Sequence, residues 1–211
     1  MRLYLVRHGE TEWNRQRRIQ GLTDLELNET GRKQAEALGR ALEGQELAAV
    51  FTSPLKRARD TASAIARFHC LEPEVLEGLR ELDAGEVDGL TYEEMREKHG
   101  DFLDKWIRDC SAVAPPGGCG LPEIQQHAWG AIEEIQSRFS FSGRERDGTA
   151  AVAVAHFFPI LSIFCMVLGI DLSECRRIRL DLASISTLEL IPSRTVLVSM
   201  NDTCHLREAS R

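Results

Sequence analysis

Apolar positions along the chain fall into compact runs separated by stretches of helical spacing. "RLYLV" (2–6), "AAVFTS" (48–53) and "AAVAVA" (150–155) are short apolar runs of strand length and read as buried strands. Between the first two, Asn28 stands as an N-cap ahead of Ala35, Leu38 and Leu42, which share one helical face. Pro54 opens a second helix that runs to about Phe68, a position that suits proline in a first turn. "EVLEG" (74–78) reads as a short edge strand. Residues 79–121 are irregular, with short helices near 91–98 and 101–108 and a "PPGGCG" loop. From Pro122, Ile124, Ala128, Ile132, Ile135 and Phe139 recur at helical spacing, and another apolar helix begins at about 158. "STLELI" and "TVLVSM" flank a "PSR" turn and read as two antiparallel strands.

Strands alternating with helices predict an α/β fold: a mostly parallel central sheet with helices on both faces. No tandem repeat, low-complexity tract or linker divides the 211 residues. The expectation is therefore one domain over 1–211, with residues 79–121 as a small helical cap.

Composition narrows the classes. Hydrophobic residues at 43% and charged residues at 28% fit an ordinary globular chain. The longest apolar run, "FFPILSIFCMVLGI" (157–170), is too short to span a bilayer, so no membrane partner is expected. The start lacks a basic segment followed by an apolar one, which predicts a cytoplasmic protein with free thiols. None of the six cysteines has an arginine six residues on, so a Cys-x5-Arg phosphatase loop is absent. A net charge of −7 argues against nucleic acid as a partner. Residues 1–60 nonetheless hold 11 Lys/Arg against 9 Asp/Glu, compatible with a small anionic substrate.

The candidate chemistry sits at strand ends. "RLYLV" runs into Arg7-His8-Gly9, and "AAVAVA" into His156. Ligands of open parallel sheets bind at the carboxyl ends of the strands. If these two strands are neighbours, both histidines project into one pocket. Arg57 lies in the first turn of the helix after the second strand, where free N–H groups and the dipole favour an anion. Arg7 and Arg57 each offer a planar fork suited to phosphate oxygens, and Gly9 permits close backbone approach. HExxH, clustered ligand spacing and a DxD pair are absent, so neither a metal nor another cofactor is expected.

"LYLVRHGETEWN", "GLTDLELNETGRKQAEALG", "FTSPLKRARDTA", "LRELDAGEVDGL" and "VAVAH" resemble the histidine phosphatase superfamily, the cofactor-dependent phosphoglycerate mutases and their phosphatase relatives. The resemblance implies His8 as a nucleophile that becomes phosphorylated, with Arg7, Arg57 and His156 completing the phosphate pocket. It implies Glu81, in "LREL", as general acid and then base, with Asp83 and Glu86 as nearby substitutes. Asn14, Gln20 and Gly21 lie where family members contact phosphate or substrate. The implied substrate is a small-molecule phosphomonoester.

Several departures bear on the substrate. Where glycolytic mutases carry a tyrosine and a lysine after the acid, this chain has Ala84 and Tyr92. The paired arginines after a tryptophan are reduced to Trp106-Ile107-Arg108. "PPGGCGLPEIQQH" replaces a Gly-Glu-Ser pattern. A second anionic group on the substrate thus loses partners, which favours a phosphatase over a phosphoglycerate mutase; a non-catalytic phosphate-binding scaffold is the third reading. After His156, Phe157-Phe158-Pro159 replaces the family's small residues. These aromatics either wall the pocket, making Phe157 a substrate contact, or simply start the buried helix. The sequence leaves open which ester is cleaved (ribazole phosphate, phosphosugar, phosphoserine or fructose bisphosphate) and the oligomeric state.

Overall fold

In the computed structural model, which describes residues 1–141 and 150–208, the chain opens with strand β1 (Arg2–Arg7) and a one-turn helix α1 (Glu12–Arg15). Helix α2 (Glu29–Leu42), strand β2 (Leu47–Thr52) and helix α3 (Lys56–Ala66) follow. A two-residue strand β3 (Glu74–Val75) precedes the short helices α4 (Tyr92–Lys98) and α5 (Gly100–Arg108). Helix α6 (Leu121–Phe141), strand β4 (Ala150–Ala155) and helix α7 (Phe157–Leu168) come next. A hairpin of β5 (Ile185–Ile191) and β6 (Arg194–Asp202) and a terminal turn of helix, α8 (Cys204–Glu208), complete it.

Among the described residues the strands form one sheet in the order β3-β2-β4-β1-β5-β6. β1, β2, β3 and β4 run parallel; β5 pairs antiparallel with both β1 and β6. The two histidine-bearing strands are therefore neighbours, with Arg7 opposite Ala155. β2 flanks β4 on the other side, with Thr52 opposite Val154. Three strands thus end side by side on one edge, the arrangement required to bring His8, Ser53 and His156 together.

Alternation along the strands decides which face each helix covers. Leu3 and Leu5 of β1, with Ala151, Ala153 and Ala155 of β4, face the cluster built with α6 and α7. Tyr4 and Val6, with Val152 and Val154, face α2 and α3 through Leu38, Leu42, Ala58, Ala62 and Ile65. β4 is covered on both sides, and each of its residues is buried. The small alanine face lies under the bulky α7, whose Ile160, Leu161, Ile163 and Phe164 are fully buried. A third cluster of Ala84, Val87, Met95 and Leu103 holds α4 and α5 beside this body.

Element boundaries differ locally from the sequence reading. α3 starts at Lys56 rather than Pro54, because Leu55 keeps extended backbone (φ −73°, ψ 137°) as the N-cap. It stops at Ala66, and a 3-10 turn ends at Cys70 in the left-handed region (φ 52°). α6 begins one residue before Pro122, and α7 begins at Phe157. The helices α1 and α8 were not read from sequence; α1 has no buried face, and only the Thr11/Asn14 capping box marks it. Among the described residues, no helix is long and apolar enough to cross a membrane.

The loop after β1 is held by a glycine contact. A Cβ on Gly9 would lie 2.6 Å from the carbonyl oxygen of Gly31, and one on Gly31 would lie 2.0 Å from that of Glu10. The room Gly9 leaves is therefore filled by α2, not kept for a ligand. A methyl at Gly31 meets the backbone of Glu10, so Gly31→Ala should lower stability by about 1–3 kcal/mol. At Gly130, exposed in α6 with nothing within 4 Å of a Cβ, the same change should add about 0.5–1 kcal/mol. Urea unfolding of both variants checks the opposite signs.

Candidate active site

At the ends of β1 and β4 the rings of His8 and His156 lie 5.0 Å apart, centroid to centroid. His8 Nδ1 is 2.7 Å from the carbonyl oxygen of its neighbour Gly9. A carbonyl only accepts, so the proton is on Nδ1 and Nε2 keeps its lone pair. Burial, and then the charges of Arg57 and Arg7, push the His8 imidazole well below its ordinary pKa, so it is neutral. Gly9 in turn donates its N–H to Thr61 Oγ1, which fixes the segment carrying the ring.

Arg57 is fully buried at the start of α3. Its Nη2 donates to Gly21 O (2.8 Å), its Nη1 to Thr23 O (3.0 Å), and its Nε to His156 Nδ1 (3.2 Å). His156 Nδ1 must then be the acceptor, so its proton is on Nε2, which donates to Ser53 Oγ at 2.7 Å. Burial, followed by the Arg57 charge, keeps His156 neutral as well. Arg7 Nη1 donates to Leu180 O at 2.7 Å, and its guanidinium carbon lies 4.9 Å from the centre of the Phe157 ring. Burial pulls Arg7 down to about 10, so it stays protonated at neutral pH. Two buried donors, Arg7 Nε and Gln20 Nε2, have no acceptor among the described residues.

Glu81 is 5% exposed, not a surface carboxylate. Oε2 accepts the N–H of Phe157 (3.0 Å), and Oε1 accepts those of Phe158 (3.2 Å) and Leu82 (2.9 Å). The carboxylate therefore rests on the N-terminus of α7. Burial raises its pKa and outweighs the opposing pull of these N–H groups and of Arg57 and Arg7. The neighbouring carboxylates differ in setting: Glu86 is exposed, and Asp83 Oδ1 accepts the N–H of Gly85.

The remaining sequence candidates occupy the adjoining loop. Asn14 Oδ1 accepts the N–H of Thr11 at 3.0 Å, and Gln20 Oε1 lies 2.8 Å from Thr11 Oγ1. Gly21 gives its carbonyl to Arg57 and its N–H to Asp88 Oδ1 (2.7 Å), so both its backbone groups are committed within the protein. Asp88 Oδ2 also takes the N–H of Thr23 at 3.0 Å. Arg57 and Asp88 thus grip residues 21–23 from opposite sides.

Ser53, Thr61 and Asp88 were not singled out by sequence. Thr61 carried a readable signal: it lies four residues after Arg57, on the buried face of α3, and its hydroxyl donates to Arg57 O at 2.7 Å. Ser53 and Asp88 serve groups distant in sequence, and no local pattern marks them. Among the described residues, no group of three or more His, Cys, Asp or Glu side chains is placed to hold a metal ion.

The model of the histidine phosphatase superfamily (branch 1) matches residues 3–203. Phosphoserine phosphatase 1 of Hydrogenobacter thermophilus is 35% identical over 208 residues, covering 99% of this chain and 95% of that protein. The structure of YhfR from Bacillus stearothermophilus superposes with a TM-score of 0.89 at 30% identity, covering 97% of this chain and 98% of that one. A mycobacterial glucosyl-3-phosphoglycerate phosphatase superposes with a TM-score of 0.85 at 28% identity, covering 96% and 99%. The chain belongs to the histidine phosphatase superfamily.

Proposed function

We propose that this superfamily hydrolase is a metal-independent phosphomonoesterase that works through a phosphohistidine at His8. The observation that carries the reading is the neutral His8, its Nδ1 proton held by Gly9 O, beside two arginines and a buried glutamate. Nε2 then presents its lone pair for attack on phosphorus. The Hydrogenobacter relative and the mycobacterial one are named as phosphatases, of phosphoserine and of glucosyl-3-phosphoglycerate, in accord with this class.

The sequence of events follows from the groups present. A phosphomonoester brings its equatorial oxygens to Arg7 and Arg57, whose stationary charges favour the spreading negative charge of the transition state. Arg7 Nε and Gln20 Nε2 are donors in need of acceptors, and phosphate oxygens supply them. His8 Nε2 bonds to phosphorus as the P–O bond to the alcohol breaks. Protonated Glu81 gives its proton to the departing alkoxide. The phosphoimidazole keeps its Nδ1–H bond to Gly9 O. Water then attacks phosphorus, Glu81 takes its proton, the P–N bond breaks, and inorganic phosphate leaves. His156 stays neutral, and its bond from Arg57 Nε holds that guanidinium in place beside the phosphoryl group.

Phosphate release from a panel of phosphomonoesters with EDTA present tests the reading. Wild type should release phosphate, and His8→Ala should lose at least about 10³-fold in rate. Unchanged hydrolysis by His8→Ala overturns the mechanism; transfer of the phosphoryl group to an organic acceptor, without free phosphate, favours a mutase.

Glu81→Gln should lower kcat by about 10²–10⁴-fold. The pH profile has a definite sense. A raised Glu81 pKa keeps the acid protonated above its ordinary range, and activity falls as pH rises through it. A depressed His8 pKa keeps the nucleophile neutral on acidification past its ordinary 6.5. The alkaline fall of kcat/KM should therefore vanish in Glu81→Gln, and wild type should stay active below pH 6.5.

A further inference from the structure

Four aromatic rings run outward from the reacting centre. Phe157 lies under the Arg7 guanidinium. Its ring packs on Phe158 at 5.2 Å between centroids, with the planes at 80°. Phe158 meets Trp106 edge to face at 5.8 Å, and Trp106 meets Phe102 at 5.5 Å. All four residues are only partly buried, so the row keeps apolar surface exposed. It also starts at the proton donor, because the N–H groups of Phe157 and Phe158, with that of Leu82, hold the Glu81 carboxylate.

The chemistry gives that position a meaning, and the inference rests on the phosphatase reading above. In an in-line displacement the departing oxygen lies opposite His8 Nε2 and must reach Glu81 to be protonated. The carbon of the alcohol then stands beside Glu81, whose carboxylate is held by the N–H groups of Phe157 and Phe158, at the start of the row, and by that of Leu82. None of the four rings offers a charge to a carboxylate or ammonium on the alcohol. Flat apolar surface with ring edges and faces exposed favours another ring, in edge-to-face or offset contact. We propose that Phe157, Phe158, Trp106 and Phe102 form the leaving-group subsite, and that the preferred substrates are phosphomonoesters of alcohols bearing an aromatic or similarly flat apolar group.

The row has a second effect that the test must separate. Phe158 and Trp106 pack on the main core, and Phe102 on the cluster around Leu103, so the rings also tie α5 to the body. A purely structural contribution would change the hydrolysis of every ester together. The experiment therefore compares 2-phenylethyl phosphate with ethyl phosphate, two primary alkyl esters of similar leaving-group basicity that differ in the ring. For wild type, kcat/KM should favour the phenylethyl ester by about tenfold or more. Phe158→Leu and Trp106→Leu should each bring that ratio down by severalfold. A wild-type ratio near one overturns the subsite, and so does a ratio that survives both substitutions in folded variants. Should either variant fail to fold, the wild-type ratio alone decides. Hydrolysis of both esters at equal efficiency removes the subsite and leaves the phosphatase reading intact. Release of phosphate from neither ester, nor from the wider panel, removes both.

Discussion

A buried guanidinium with no carboxylate at hydrogen-bond distance among the described residues is the constraint around which this molecule is organised. Arg57 is fully buried, yet its three hydrogen bonds go to two backbone carbonyls and a neutral imidazole. Burying an unpaired charge is costly, and burial lowers its pKa despite the more distant Glu81, Asp24 and Asp88. The neutral acceptors orient the cation without cancelling it. Its charge therefore remains available to an incoming anion, and together with burial it keeps both histidines neutral. A carboxylate in direct contact would have stabilised the resting protein and weakened this field.

Holding Arg57 in place requires the fold. Its backbone belongs to the first turn of α3, its acceptors to the loop at 21–23 and to the end of β4. Those three meet only because β2 and β4 are parallel neighbours and because Asp88 grips the loop from the other side. The alternation of the strands provides the rest. Leu3 and Leu5 on one face and Tyr4 and Val6 on the other lock β1 against slipping by one residue, which would turn His8 away from the edge. The Gly9–Gly31 contact then sets the loop that carries the nucleophile directly on α2. Packing thus defines the position of a lone pair.

How much of this was legible in sequence depends on whether a signal is local. The strand runs and helical spacings were, and with them the meeting of His8 and His156 across almost 150 residues, because strand order in an α/β sheet constrains which ends come together. Arg57 was legible because a strand, a proline and a helix start precede it. The roles of carbonyls were not: Gly9, Gly21, Thr23 and Leu180 act through C=O groups, which carry no side-chain signature. Gly9 was read as room for a ligand, whereas the space is taken by Gly31, a contact that no spacing in the sequence encodes. The helix at Glu12–Arg15 escaped because it buries no face, and Glu81 was ambiguous because burial is a property of the assembled fold.

Glu81 shows how the same elements set opposing demands. Three N–H donors, two of them from the start of α7, would by themselves favour the ionised carboxylate and lower its pKa. Removal from water acts in the other direction and prevails. The outcome is a carboxyl group held rigidly in position, yet able to carry a proton, which is the combination a general acid needs. The chain achieves this by beginning α7 immediately after His156, so one turn of backbone supports both an imidazole and the acid. With small residues at 157 and 158 the N–H groups would still reach Glu81. The desolvation that raises its pKa comes from burial of the carboxyl in the packed site, so backbone fixes where the acid stands and packing sets the direction of its titration.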